Sequence, residues 1–243
     1  MNNYRKGLYN KIMNTNKEYS LVDRARMRHL ASAALRRATD ARIPDDYMRI
    51  GMNEFSKLLC KPYYANQGVS ADSIAKRIFE TPESIFRKPF ILIDGGTKEE
   101  RKRAGFAILF RLITCDKSGH HSDCTELIHK LQNMNMVHGI TREERADALK
   151  SKDVIFVSDF RPAPVRSYSE GCLYLDEILE HRLNYRKPSI ISFYTPLTAM
   201  RTIISAGVND GGLFGIHIEE FVDQTKQNVY ENETSLRIHV GID

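Results

Sequence analysis

The chain contains no apolar run long enough to cross a membrane. Nothing in it approaches the roughly 18 consecutive apolar residues that a helical span requires. Its first residues carry no apolar signal core, so it is expected to stay in the cytoplasm. Cysteine is sparse: Cys60, Cys115, Cys124 and Cys172 stand at irregular spacing, which argues against a disulfide framework and for reduced thiols in a cytosol. Internal repeats and low-complexity tracts are also missing. What is present is an ordinary composition, 42% hydrophobic and 28% charged over 243 residues. That is enough chain for one substantial core with an extension.

Charge is unevenly placed. Residues 1–50 hold eight Arg and three Lys against four Asp and one Glu, an excess of six positive charges in a chain whose total is +5. A basic arm on a nearly neutral body suits a nucleic-acid strand or an acidic protein surface. Residues 4–39 read as helix, in one or two pieces, with Ser20 as an N-cap and Asp23 three residues on. Arg24, Arg26, Arg28, Arg36 and Arg37 spread around that helix as candidate contacts for DNA or a protein partner. No aromatic residues are interleaved with them for base stacking.

The body is organised around Lys88–Leu112. Phe90–Ile93, behind Pro89, reads as a buried strand of a parallel sheet. A Gly95-Gly96 turn and a helix follow, with Ala104, Ala107, Ile108 and Leu112 at helical spacing. Strand, glycine turn and helix form the setting of a phosphate-binding loop. The loop chemistry differs, however. Counted from Gly95 in the Gly-x-x-x-x-Gly-Lys-Ser/Thr pattern, the second glycine is Glu100, the lysine Arg101 and the hydroxyl Lys102. Glu99 and Glu100 would turn negative charge toward an anion. The segment is either an eroded nucleotide site or a plain strand–turn–helix unit with a solvated turn.

Around this unit, Ile43-Pro44 breaks the first helix. Met52–Leu59 is a short apolar patch, Pro62–Gly68 a loop, and Ala71–Phe79 a short amphipathic helix. Thr114–Cys124 reads as a polar loop. Its Cys115, His120, His121 and Cys124 are the best metal candidates, although eight residues separate the cysteines and structural zinc prefers tight pairs; no metal is expected. Helices are expected at Glu126–Met136, Thr141–Leu149, Gly171–Leu183 and Pro196–Ala206. Asp153–Phe160 is a second buried strand, ending on Asp159 where α/β sheets place ligand chemistry. Arg161–Arg166 is a Pro-rich loop, and Ser189–Phe193 a third strand. Gly207–Gly215 is a glycine-rich turn, Ile216–Val222 is ambiguous, and Ser235–Gly241 is a half-exposed edge strand.

Strands alternating with helices predict an α/β fold with a parallel sheet flanked by helices. In order, the features resemble the helicase-loader branch of the AAA+ ATPases, the DnaC/DnaI and IstB-like proteins. They are Ile43-Pro44-x-x-Tyr47 after a basic helical start, the Phe90–Gly96 strand and turn, and Thr125-Glu126-Leu127 before a helix. Then come Asp153–Phe160 at the Walker B position, Leu175–Arg182, and Lys187-Pro188-Ser189-Ile-Ile-Ser192 at sensor 1. The resemblance divides the chain into a basic helical adapter (1–43), an AAA+-like domain (44–222) and a C-terminal strand or tail (223–243). The family's Walker A lysine and hydroxyl positions carry Arg101 and Lys102, its Walker B acids carry Ser158 and Asp159, and its sensor-1 asparagine position carries Tyr194. No arginine stands between Arg201 and Arg237 to reach a neighbour's phosphate.

Phosphoryl transfer needs positioned magnesium and cations, so losing several such parts together implies a fold kept for binding. The resemblance implies a replication adapter that grips a replicative helicase and whose body binds single-stranded DNA or assembles with copies of itself. It implies little or no ATP hydrolysis and an origin in a phage or mobile element, hence a host cytoplasm. Gly95, Gly96, Thr97, Lys98, Arg101, Lys102, Asp159 and Tyr194 would be the degenerate nucleotide site. Two alternatives stand beside it. One is a working ATPase that binds ATP and Mg through Lys98, Arg101 or Lys102, with Asp159 as the catalytic residue. The other is an inhibitor that mimics a loader and blocks a helicase.

Overall fold

The computed structural model describes residues 21–132, 139–161, 170–194, 230–231 and 233–241, with side chains from residue 29 onward. Among the described residues, five strands form one sheet: β1 (Phe90–Gly95), β2 (Gly119–Asp123), β3 (Val154–Phe160), β4 (Ser189–Phe193) and β5 (Ser235–Val240). Their order is β2-β3-β4-β1-β5, and every neighbouring pair is parallel.

Strands β1, β3 and β4 are short, largely apolar runs because both faces are covered. Ile91, Ile93, Phe156 and Ile190 point into one cluster, and Phe90, Leu92, Ile155, Val157 and Ile191 into the other. On the first face lie α1 (Leu21–Asp40), α2 (Met52–Leu58), α3 (Lys61–Ala65), α4 (Ala71–Glu80) and the central α5 (Lys98–Thr114). On the second lie α6 (Cys124–Gln132), α7 (Arg142–Ser151) and α8 (Glu170–Asn184). Helix α5 is apolar around most of its circumference, with ten buried residues. It sits down on β3 at Gly105, where a Cβ would lie 2.2 Å from the Phe156 ring. Only a residue without a side chain permits that approach.

The expected α/β fold is present, and most elements fall where the hydrophobic periodicity places them. Three expectations need correction. The polar stretch ending at Cys124 is not a loop throughout, because Gly119–Asp123 is strand β2. It is polar because it is the outermost strand, half covered on each face. Its free side is closed by His121, whose N–H donates to the Ala41 carbonyl at 3.0 Å. Pro62–Gly68 is not all loop, because Lys61–Ala65 forms α3 with Pro62 in the first turn, where its missing N–H costs nothing. The apolar patch at Met52 is likewise helical, as α2. The closing strand does lie at the sheet edge, but it is buried except at His239, which is partly buried. Its Leu236, Ile238 and Val240 join the core of the first face, so the sheet takes in residues beyond 222. The expected features at 4–20, 133–136, 162–166 and 196–222 lie outside the described residues.

Candidate functional site at the carboxyl edge of the sheet

The carboxyl ends of β1, β3 and β4 bring the suspected nucleotide residues to one edge. Strand β1 ends on Gly95 (φ +78°) and is followed by Gly96 (φ +47°). Left-handed backbone at both positions explains the glycine pair. Only Gly96 and Thr97 separate β1 from α5. That link is too short for the run of backbone amides with which a phosphate loop wraps its ligand.

Thr97 is the N-cap of α5, and with Glu100 it forms a capping box. The Glu100 carboxylate accepts hydrogen bonds from the Thr97 N–H at 2.7 Å and from its hydroxyl at 2.9 Å. The Thr97 hydroxyl accepts from the Glu100 N–H at 3.2 Å. A side-chain carboxylate thus stands at the helix N-terminus, where a phosphate would be attracted. Arg101 turns back into the protein. Its guanidinium donates to the carbonyls of Gly95 (2.8 Å) and Gly96 (2.6 Å). The side chain is buried, and burial lowers its pKa.

Asp159 is reached through a β-bulge between Val157 and Phe160 and holds a left-handed backbone (φ +55°). Its N–H donates to the Ser192 hydroxyl at 3.1 Å. The carboxylate is buried. Lys98 forms an ion pair with it, and Lys102 lies 4.0 Å from the same oxygen. That carboxylate raises the pKa of Lys98, whose side chain is 53% exposed. Ser158, at the Walker B position that would hold metal, is buried and shares a 3.0 Å hydrogen bond with the His121 ring. Tyr194 is 49% exposed at the end of β4, with the Arg161 guanidinium 3.7 Å from its ring centre.

A magnesium nucleotide does not fit these residues. The amides at the helix start face a carboxylate, Arg101 is spent on carbonyls, and Ser158 is no metal ligand. The cations nearest the edge, Lys98 and Lys102, face Asp159.

Elsewhere the suspected sites separate. Arg37 is paired with Asp116 at 2.5 Å and ties α1 to the end of α5, while Arg36 is exposed. The side chains of Arg24, Arg26 and Arg28 lie outside the described residues. Among the described residues, no group of three His, Cys, Asp or Glu could hold a metal ion. Nor does any helix among them have the length and apolarity to cross a membrane.

Sequence reasoning missed a buried charge cluster beside this edge. Asp94, at the end of β1, takes two hydrogen bonds from Arg237 of β5, at 3.0 and 2.6 Å. His239 lies 3.0 Å from the same carboxylate. Burial alone would raise the pKa of Asp94, but His239 and Arg237 together hold it below its ordinary value. The Tyr63 ring covers Arg237 at 5.0 Å, and the Tyr64 hydroxyl accepts from the His239 N–H at 2.9 Å. The only signal was a charged residue at the end of one apolar run and inside another, Asp94 after Ile93 and Arg237 between Leu236 and Ile238.

The comparisons bear on the fold. No family model matches the sequence, and no curated protein matches it. Among solved structures, DnaI superposes with a TM-score of 0.51 at 14% identity, over 82% of this chain and 91% of that one. The two share a fold, a parallel α/β sheet flanked by helices. The DnaC helicase loader gives a TM-score of 0.48 at 12% identity, over 82% of this chain and 100% of that one. DnaA from Aquifex aeolicus, bound to AMPPCP, gives 0.47 at 12%, over 70% of this chain and 46% of that one.

Proposed function

We propose that this protein is a replication adapter of the helicase-loader kind, whose AAA+ fold serves binding and whose nucleotide site is closed by its own side chains. The observation that carries this reading is the Glu100 carboxylate on the first amides of α5, with Arg101 folded onto Gly95 and Gly96. The groups that would meet a nucleotide's phosphates are engaged with each other. The basic helix α1 is the handle for the partner, a replicative helicase, and the body contributes contacts to single-stranded DNA and to further copies of the chain. No ATP or magnesium is required in this scheme. A phage or mobile-element origin, with work in the host cytoplasm, accords with so eroded a site.

Titration with a fluorescent ATP analogue and magnesium tests the closed site. The expected result is no binding at high micromolar nucleotide. Binding that disappears when Arg101 and Lys102 become Ala would overturn it. The Lys98–Asp159 pair favours one other reading, an ATPase using a different residue set, and turnover lost in Asp159→Asn would establish that. Co-purification with the cognate helicase tests the partner. Stimulated unwinding marks an adapter, whereas arrested unwinding marks an inhibitor that mimics one.

A further inference from the structure

The tripeptide Arg-Lys-Pro occurs twice, at residues 87–89 and 186–188. Each copy ends immediately before a strand, β1 and β4 respectively. These strands are parallel neighbours in which Phe90 is opposite Ser189. The two copies therefore stand at the same offset, side by side, at the amino edge of the sheet. The Ser189 N–H donating to the Pro89 carbonyl at 2.7 Å carries the pairing into them. This is the opposite edge from Gly95 and Asp159.

Within each copy the lysine and arginine have different fates. Lys88 is paired with Glu231 at 2.9 Å. Lys187 donates to the carbonyls of Lys150 and Ser151 at 2.8 and 3.1 Å, closing the end of α7. Both lysines are spent on the fold. Arg87 and Arg186 are exposed, and among the described residues neither guanidinium has a hydrogen-bond or ion-pair partner. Both line one open cleft of about 660 Å³. A third guanidinium in it, Arg77, is already held by Glu231 at 2.5 and 2.9 Å. Arg186 keeps its place through a left-handed backbone (φ +51°) at the end of α8.

We propose that Arg87 and Arg186 form a cleft for the phosphate backbone of a single nucleic-acid strand. Adjacent strands are about 4.8 Å apart, so two forks at one offset can share a phosphate or hold successive ones. A planar guanidinium matches phosphate oxygens two at a time. Glu83 and Glu233 also line the cleft. They set its charge density too low for a polyphosphate and suit a diester, with one charge per phosphate. Tyr185, the residue before Arg186, stands outside the cleft lining; it is 67% exposed and packed on the His181 ring at 4.4 Å. An aromatic face beside a cation is the pairing that single strands use for bases. An acidic peptide would gain from the arginines but not from this ring.

The test is fluorescence anisotropy of a labelled oligothymidylate against the full chain, over a salt series and without helicase. Its failure is thereby separate from failure of the adapter reading. Arg87→Gln with Arg186→Gln is expected to weaken binding roughly tenfold or more. It should also flatten the dependence of log affinity on log salt by about 1.4, at about 0.7 per phosphate contact. The Lys/Lys variant keeps the charge and loses the forks. It should bind at intermediate strength with most of the salt dependence retained, and it serves if the neutral variant melts early. Unchanged affinity in the neutral variant, with binding lost instead in Arg24→Gln/Arg26→Gln/Arg28→Gln, would overturn the proposal. So would a polyglutamate peptide that displaces the oligonucleotide at lower concentration and depends on the same two arginines.

Discussion

Asp94 and Arg237 lie 143 residues apart in the chain and meet as a two-bond pair in the interior, at 3.0 and 2.6 Å. The pair fastens the edge strand β5 to β1, directly beside the Gly95-Gly96 turn. Its energetics are asymmetric. Removing Arg237 leaves the buried Asp94 carboxylate with His239 alone, at a cost of up to roughly 3–5 kcal/mol, whereas removing both charges can be nearly neutral. Arg237→Met is thus expected to lower the urea unfolding free energy by that amount. Adding Asp94→Leu to it should restore most of the loss. A double variant as unstable as the single one would show that the pair is not the source of the effect.

A second buried cation has no ion-pair partner among the described residues. Arg182 of α8 donates to four carbonyls, those of Leu149, Lys152, Asp153 and Pro188, and to the Ser189 hydroxyl. Burial lowers its pKa to about 9. It gathers the end of α7 and the starts of β3 and β4 at one point, and the helix C-terminus favours its charge. Arg182→Met would remove a donor from each of those acceptors, of which the Pro188 carbonyl keeps the Ile155 N–H at 3.3 Å, at about 1–3 kcal/mol for each one left unpaired where water cannot enter. We expect a loss of at least about 3 kcal/mol in urea unfolding. Arg182→Lys should recover only a minor part of it, because an ammonium cannot reproduce the fork. A loss below about 1 kcal/mol in Arg182→Met would refute this account.

The contrast between these residues and the strands shows what the sequence made legible. Phe90–Ile93 and Val154–Val157 are continuous apolar runs and Ser189–Phe193 is largely one, and a strand covered on both faces leaves that mark. The parallel α/β fold followed from them. Strand β2 was hidden because Gly-His-His-Ser-Asp has no apolar member; its imidazoles act as packing groups, a role that no period encodes. At the candidate site the residues were identified but not their partners. Arg101 stands at the counted lysine position, yet it bonds backwards to Gly95 and Gly96, which only three-dimensional geometry reveals. Asp94, Arg237 and Arg182 form contacts between elements distant in the chain, so no local spacing announces them.

His120 and His121 make the strand acid-sensitive. Burial, aided by Arg42 at His120 and by Lys102 at His121, lowers both to a pKa of about 4. Unfolded histidine titrates near 6.5. As pH falls from about 6.5 toward 4, the unfolded chain takes up protons that the folded one refuses. Stability therefore declines through that window, by up to about 1.4 kcal/mol per pH unit for each ring. His121→Gln keeps a polar group for Ser158 and removes one titrating ring. Its drop in melting temperature between pH 7 and pH 5 is expected to be clearly smaller than that of the wild type. An unaltered drop would show that His121 does not titrate this way.

Asp176 carries the opposite sign in the same window. It is half-buried on α8, and burial raises its pKa to about 7, well above the ordinary value near 3.9. The folded state holds this proton where the unfolded state has released it. The contribution to stability is complete below about pH 4 and is lost as pH rises through about 7, where the carboxylate must ionise without a compensating partner. Asp176→Asn mimics the neutral form at every pH. It should leave the melting temperature nearly unchanged at pH 4 and raise it at pH 8, by on the order of 1–2 kcal/mol of stability once solvent screening is allowed for. An equal effect at both pH values would mean that the asparagine acts through packing or propensity and that Asp176 titrates normally. A gain confined to high pH would identify the half-buried face of α8 as a place where the fold tolerates a charge it does not need.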